Sequence, residues 1–371
     1  MSKTAKVWIG VIVVILIIVV VSFGKKNTES ETIKIGVSAP LTGPAATIGG
    51  WFLEGMKMSA EEVNADGGID GRPIEFVIED DKCNAKEGTN TVTKLLTADH
   101  SPMLVVYCGA VAAAVAPIVD GKAITYSGSV RTEPLEGKYP FLFNMAPSPL
   151  DEAKLIAELL NKKGIKKIAI IRQADFFGET MENKMIQALA PYKIEVAVRN
   201  ATENLATPDF RTDLTKAKAA GVQAIFTPFN PAQYVVLLKQ ADELNLKVPF
   251  FSVWTTESPV LIDQAKQLTE GIIYTYAFSE GSTIAYGAFK DSFFKKYNHY
   301  PDINASNGYD VIKLLAQGAK SCSGNVQCMI DKTNSIEKYD GMSGSFSFKN
   351  NVADKKVFLK TIKDGKFIEY K

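Results

Sequence analysis

From Thr32 onward, short runs of β-branched and aliphatic residues alternate with longer segments whose apolar positions recur every three or four residues. Ile33–Ser38 predicts a strand, and the helical spacing of apolar residues in Gly49–Asn64 predicts a helix. The alternation continues as strand Ile74–Glu79, helix Ala85–Ala98, strand Met103–Tyr107, helix Val111–Val119 and strand Ala123–Ser127. Strands that alternate with helices predict a parallel sheet with helices on both faces.

The same rhythm restarts after Pro147-Ser148-Pro149 and predicts a second α/β unit. Its predicted helices are Leu150–Lys163, Thr180–Leu189, Asp209–Ala220 and Gln233–Asn245, and its strands are Lys167–Arg172, Ile194–Val198, Ala224–Thr227, Pro249–Val253 and Ile272–Ala277. Two further helices follow, and the chain closes with short strands and a hairpin turn. These last segments are Ala285–Tyr297, Asn307–Ala319, Gly344–Phe348, Val357–Ile362 and Phe367–Tyr370.

Length and composition agree with two globular lobes. A chain of 371 residues suits two units of about 150 residues each. Hydrophobic residues make up 46% and charged residues 22%, which is typical of a folded protein. Lys and Arg total 42 against 41 Asp and Glu, so the balance gives no electrostatic support for a nucleic-acid partner.

The N-terminus carries an apolar run, Val7–Val21, behind Lys3 and Lys6. A basic segment followed by an apolar one is typical of an export signal. The run is shorter than the ~20 residues that span a bilayer comfortably. Small residues at Ser22 and Gly24 fit a cleavage point, and a retained membrane anchor is the alternative. Either interpretation places the rest of the chain outside the cytoplasm.

The four cysteines fit an exported protein, since an even number suggests disulfides. Cys322 and Cys328 flank a turn-like stretch and can pair, which leaves Cys83 for Cys108. A zinc site is the competing interpretation, but neither histidine has the spacing of a metal site. We therefore expect two disulfides, no metal and no cofactor.

Several short segments, in order along almost the whole chain, carry a resemblance to a known family. They are Leu41–Pro44, Glu62–Gly71, Asp80-Asp81, Pro208–Phe210, Ala219–Ile225, Tyr309-Asp310 and Gly341–Phe348. On these segments, residues 32–371 resemble the leucine/isoleucine/valine-binding protein family, the type I periplasmic binding proteins. Cys83 and Cys108 also fall where the family has a disulfide.

The resemblance implies two Rossmann-like lobes with parallel central sheets, joined by a hinge of three strands, with ligand held in the crevice between them. After an N-terminal segment of residues 1–31, lobe one would comprise 32–146 and 280–342. Lobe two would comprise 147–279 and 343–371. The implied function is the extracytoplasmic substrate-binding component of an ABC importer for amino acids or a related small amide or carboxylate. Its partners would be that ligand, permease subunits and, if the N-terminal segment is uncleaved, the membrane.

Candidate ligand contacts lie at junctions between strands and helices, where unpaired backbone N–H groups favour anions. In the first lobe two junctions fit, with Tyr107, Cys108 and Gly109 after the third strand and Ser127 and Ser129 after the fourth. The resemblance implies that these two loops hold the ligand's carboxylate. The alternative is that both junctions are ordinary turns. Trp51 either stacks on the ligand or caps the core.

In the second lobe the resemblance points to Phe229, Asn230 and Thr255 as ligand contacts. Family members often carry an acid at the position of Thr255, so Glu257 and Asp310 are the candidate replacements. If Thr255 faces the ligand, a neutral amide or carboxylic acid is favoured over an amino acid, because a buried ammonium needs a carboxylate partner. Phe177 either covers the ligand or packs in the core.

The sequence argues against an enzyme. It has two histidines, neither in a candidate junction, and it has no nucleophile elbow, phosphate-binding loop or metal-spaced cluster. A ligand-sensing ectodomain that signals through a separate membrane partner is the alternative function.

Overall fold

The computed structural model describes residues 32–128, 135, 137–277 and 284–371. The first sheet has eight strands, in the order β11-β12-β13-β5-β4-β3-β1-β2. Strands β1 to β5 are Ile33–Ala39, Ile74–Asp80, Met103–Val106, Ile124–Ser127 and Leu142–Asn144, and β11 to β13 are Tyr339–Gly341, Gly344–Lys349 and Val352–Lys355. Strands β1 to β5 pair in parallel, β13 joins β5 in parallel, and the last three strands form an antiparallel edge.

The second sheet has seven strands, in the order β15-β14-β10-β9-β8-β6-β7. Strands β6 to β10 are Lys167–Gln173, Glu195–Thr202, Ala224–Phe226, Phe250–Ser252 and Ile273–Tyr276, and the antiparallel pair β14 and β15 is Phe358–Lys363 and Lys366–Glu369. Strands β6 to β10 are parallel, so the predicted architecture of two parallel-dominated α/β sheets is confirmed.

Helices cover both sheets. In the first half of the chain, α1 to α4 are Ala46–Ala65, Ala85–Thr97, Gly109–Val119 and Pro149–Lys162. They are followed by α5 to α8, Phe176–Leu189, Arg211–Ala219, Pro231–Glu243 and Pro259–Ala265, and by α9 to α11, Ile284–Tyr297, Ile303–Cys322 and Val326–Asn334. The helix after the Pro147-Ser148-Pro149 junction begins there because the Ser148 side chain accepts from the Asp151 N–H and Pro149 occupies the first turn.

Each sheet lies in its own buried core. One core is built on β1, β3 and β4, and the other on β6, β8 and β10. The second core extends into α9 through Phe289 and Phe293, whose ring centroids lie 5.6 Å apart, and into the start of α10 through Ile303 and Ala305.

The chain passes between the two sheets three times, and the third passage differs from the predicted division. Residues 343–371 were expected in lobe two, but β12 and β13 pair within the first sheet. The passage therefore follows Lys355, at Lys356-Val357, and only β14 and β15 belong to the second sheet. The alternating pattern of Gly344–Phe348 predicts a strand but does not specify which sheet it joins.

Both expected disulfides are present. Cys83 pairs with Cys108, with Cα atoms 5.4 Å apart, and Cys322 pairs with Cys328 at 5.7 Å. Within the described residues, no helix is both long and apolar enough to cross a membrane, and no group of His, Cys, Asp and Glu could hold a metal ion. The predicted export or anchor segment, Val7–Val21, lies outside the described residues.

Candidate functional site

The candidate site lies where the parallel strands of the two sheets end. In a parallel sheet the carboxyl ends of the strands meet at one edge, so the loops after β3 and β4 are neighbours. The loops after β8 and β9 are neighbours in the same way in the second sheet. Helix α3, which begins at the first edge, contacts α5, which begins at the second. The two edges therefore face each other.

The loop after β4 provides an unpartnered polar group. Ser127 is fully buried, and its Oγ has no hydrogen-bond partner among the described residues. The Ser127 carbonyl, an expected ligand contact, accepts the Met145 N–H at 2.9 Å. Ser129 lies outside the described residues. A buried hydroxyl without a partner costs free energy, so Ser127 Oγ is a group that a ligand could satisfy.

The loop after β3 is held from two sides. Cys108 is buried in its disulfide, and Gly109 is the buried first residue of α3, whose start has no side-chain cap. The backbone N–H groups at such a start are suited to an anionic oxygen. The Tyr107 hydroxyl donates to Asn304 Oδ1 at 2.7 Å, and its ring packs 5.1 Å from Phe52. Tyr107 thus ties this loop to α10.

The predicted aromatic contacts pack against protein groups. The Phe229 ring is fully buried, 5.1 Å from the Phe210 ring, and belongs to the core rather than to an open edge. The half-buried Phe177 ring lies 5.7 Å from Trp254 and packs against the same core. Trp51 is half-buried, with its ring 5.4 Å from the His299 ring.

The loops after β8 and β9 carry small polar groups. Asn230 is buried and precedes Pro231 at the start of α7, and its N–H donates to Gln173 Oε1 at 3.2 Å. Thr255 is 4% exposed, and its Oγ1 has no partner among the described residues. The same holds for Thr256 Oγ1 and Ser258 Oγ. The sequence interpretation missed these two residues, although the run of hydroxyl residues after a buried strand is visible in it.

Both candidate acids are occupied. Glu257 Oε2 accepts from Lys360 Nζ at 2.6 Å and from the Tyr274 hydroxyl at 2.7 Å. The Lys360 side chain is 2% exposed and the Glu257 side chain 15%, so the lysine is buried and the glutamate largely shielded from solvent. Asp310 is 1% exposed and accepts from the Met342 and Ser343 N–H groups, each at 2.8 Å. Burial raises the pKa of Asp310. Asp310 is therefore a structural acid of the β11–β12 turn and not an open ligand contact.

Comparisons with known proteins agree with this geometry. A family model described as periplasmic binding protein matches residues 32–366. The chain belongs to the periplasmic binding protein family. The binding proteins it resembles include the leucine-, isoleucine-, valine-, threonine- and alanine-binding protein of Pseudomonas aeruginosa, 24% identical over 81% of each chain. Another is Leu/Ile/Val-binding protein homolog 4 of Brucella melitensis, 26% identical over 80% of this chain and 74% of the relative.

Solved structures of substrate-binding and solute-binding proteins share the fold. The substrate-binding protein LivJ of Streptococcus pneumoniae, in complex with isoleucine, has a TM-score of 0.82 and 26% identity, covering 91% of this chain and 98% of its own. A solute-binding protein of an ABC transporter from R. palustris, in complex with benzoate, has a TM-score of 0.83 and 20% identity, covering 91% and 95%. The expected type I fold is confirmed, and the relatives named are binding proteins.

Proposed function

We propose that this chain is the extracytoplasmic substrate-binding component of an ABC importer, which captures a small polar solute between its lobes and closes around it. One observation carries the proposal: buried hydroxyls without partners lie on both facing edges, Ser127 Oγ on the first and Thr255 Oγ1 on the second. A solute that bridges the two would stabilise the closed arrangement of the lobes. The closed form would then dock on a permease.

Within this function, the ligand we favour is a small carboxylate or amide that lacks an ammonium group. An ammonium transferred from water into a closed cleft needs an anionic partner. Glu257 is already neutralised by Lys360, and Asp310 is held by the Ser343 backbone and hydroxyl. Hydroxyls and backbone N–H groups bind carboxylate or amide oxygens without such a partner.

A thermal-shift measurement with matched compounds tests both statements, because a ligand that binds only the folded state raises the melting temperature. The pairs are L-leucine with 4-methylpentanoate and L-phenylalanine with 3-phenylpropanoate, and acetamide, urea and benzoate complete the panel. We expect the compounds without an ammonium group to raise the melting temperature. A shift with the amino acids alone would contradict the ligand class but retain the function, and no shift across the panel would contradict the function.

A substitution at the second edge tests the site. Thr255→Val keeps the shape of the side chain and removes its hydroxyl, so we expect the dissociation constant of the bound compound to rise about 3- to 10-fold. Thr93→Val, at an exposed position of α2, is the matched control and should leave the dissociation constant unchanged. Calorimetric titration measures both, and equal affinities in the two variants would show that Thr255 does not face the ligand.

A further inference from the structure

A buried lysine lies at the point where the chain leaves the first sheet for the last time. Lys355 is the final residue of β13 and is 6% exposed. Its Nζ donates to Asn307 Oδ1 at 2.6 Å and to Ser343 Oγ at 2.7 Å, and it lies 4.7 Å from the centroid of the Phe346 ring. Because β13 runs parallel to β5, Lys355 lies at the same sheet edge as the candidate site.

Asn307 connects this lysine to the loop after β4. An asparagine side chain has one accepting end and one donating end. Since Oδ1 accepts from Lys355, the amide Nδ2 points away from the lysine and donates to the Gly128 carbonyl. At 3.4 Å, this is the longest of the hydrogen bonds that connect Lys355 to the loop. Asn307 is 3% exposed. Lys355 therefore determines which end of Asn307 faces the residue that follows Ser127.

The neighbouring carbonyl of the loop is held by the first passage between the sheets. The Ser127 carbonyl accepts the N–H of Met145, the residue that directly follows β5. Two successive carbonyls of one loop thus contact two hinge segments. Ser127 contacts the first passage directly, and Gly128 contacts the third through Asn307 and Lys355.

The second hydrogen bond of Lys355 fixes its position. Ser343 Oγ accepts from Lys355 and donates to Asp310 Oδ2 at 2.6 Å. Asp310, with Tyr309 and Tyr339 close to it, is the acid whose charge acts on Lys355. Burial lowers the pKa of Lys355 to about 7. The two acceptors use both N–H groups of a neutral amine, so the connection does not require a buried charge.

We infer that Lys355 is a positioning residue for the candidate site, which holds the Ser127–Gly128 loop against the hinge through Asn307, so that the loop and the hinge move together. Its role in solute capture rests on the proposed function. The connection itself involves protein groups only, and is therefore testable without a ligand.

Hydrogen exchange measured by mass spectrometry on the ligand-free full chain tests the inference, because exchange reports local opening. Lys355→Met keeps the length of the side chain and removes its hydrogen bonds. We expect exchange in peptides that cover residues 124–128 to become about fivefold faster, the effect of one hydrogen bond. Peptides from β6 and β8 should exchange at the wild-type rate.

Lys360→Met is the matched control. Lys360 is also buried, also lies 4.7 Å from an aromatic centroid, that of Tyr276, and belongs to the second sheet. We expect it to leave residues 124–128 at the wild-type rate. An equal acceleration in both variants would mean that losing any buried lysine loosens the loop, and would overturn the inference, as would an unchanged loop in Lys355→Met.

Asn307→Ala provides an independent test if Lys355→Met folds poorly. Asn307→Ala should speed up hydrogen exchange in the same peptides. The double variant should exchange no faster than Asn307→Ala alone, because the effects of residues that act through the same series of hydrogen bonds are not additive. Fully additive effects would show that Lys355 does not act on the loop through Asn307. No ligand is used in these exchange experiments, so their outcome does not depend on the thermal-shift panel. The positioning role of Lys355 and the proposed function can therefore fail independently.

Discussion

Glu152, in the first turn of α4, is 1% exposed and accepts a hydrogen bond from Thr275 Oγ1 at 2.6 Å. Burial raises the pKa of its carboxyl to about 8. The folded protein therefore holds Glu152 protonated at neutral pH. In the unfolded chain, the carboxyl loses its proton once the pH exceeds the ordinary pKa of a glutamate. The stability that this group contributes is present at low pH and is lost as pH rises through its folded pKa.

Glu152→Gln removes this titration and keeps an oxygen that can accept from Thr275. We expect the free energy of unfolding of the wild type, relative to the variant, to fall between pH 5 and 8 by up to about 1.4 kcal/mol per pH unit. Urea unfolding at several pH values measures the difference. Other buried groups also titrate in this range, namely Asp81 and Asp302, whose pKa burial raises to about 6, and Lys355. Their contributions are the same in the wild type and the variant, so they cancel in the difference. If the free energies of unfolding of the two proteins changed in parallel with pH, Glu152 would not be protonated in the folded state.

At the residue scale, sequence spacing was sufficient to pair Cys322 with Cys328 and insufficient to place the acids. Cys322 and Cys328 are six residues apart, and the turn between them is visible in the sequence. Asp310 was expected to face the ligand, but its partner Ser343 lies 33 residues away. Glu257 likewise contacts Lys360, which lies on β14, far along the chain. The occupancy of an acid depends on such distant contacts, which a local pattern does not contain.

At the scale of elements, α1 and α10 pack backbone against backbone. Added to Gly55, a Cβ would lie 1.9 Å from the Ala305 carbonyl oxygen, and one added to Gly308 would lie 2.1 Å from the Phe52 carbonyl oxygen. The two backbones therefore approach more closely than any side chain would allow. This contact places Asn304 and Asn307 under the loops of the candidate site.

Gly55→Ala should force the two helices apart and lower the free energy of unfolding by about 1–3 kcal/mol. Gly50→Ala, in the same helix, is the matched control, because nothing lies within 4 Å of the added Cβ. It should raise the free energy of unfolding by roughly 0.5–1 kcal/mol, as alanine favours a helix over glycine. Urea unfolding compares the two, and equal effects would contradict the close contact.

Helical periodicity predicted the bounds of most long helices to within a few residues, but it did not predict the short elements. The prediction for α1 was Gly49–Asn64 against the observed Ala46–Ala65. Strand β5 has three residues and helix α8 has seven, too few for a period to show. Helix α11 begins where the Asn325 side chain accepts from the Cys328 N–H, a capping signal that the periodicity does not include.

At the scale of the whole molecule, the repeated alternation of strands and helices predicted two lobes, and the family resemblance supplied the three passages between them. The position of the third passage could not be read from the sequence, because sheet membership is decided by pairing between distant strands. The loop of the candidate site contacts the first passage at Met145 and, through Asn307, the third at Lys355. Under the proposed function, ligand capture and closure would therefore share these residues.

Small-angle X-ray scattering tests closure most directly. The measurement uses the full chain alone and with a saturating amount of the panel compound that raises its melting temperature most. We predict a smaller radius of gyration with that compound, because contacts to both edges stabilise the closed lobes. The Thr255→Val variant at the same concentration should show a smaller change. Identical scattering profiles with and without the bound compound would contradict a protein that closes on its solute.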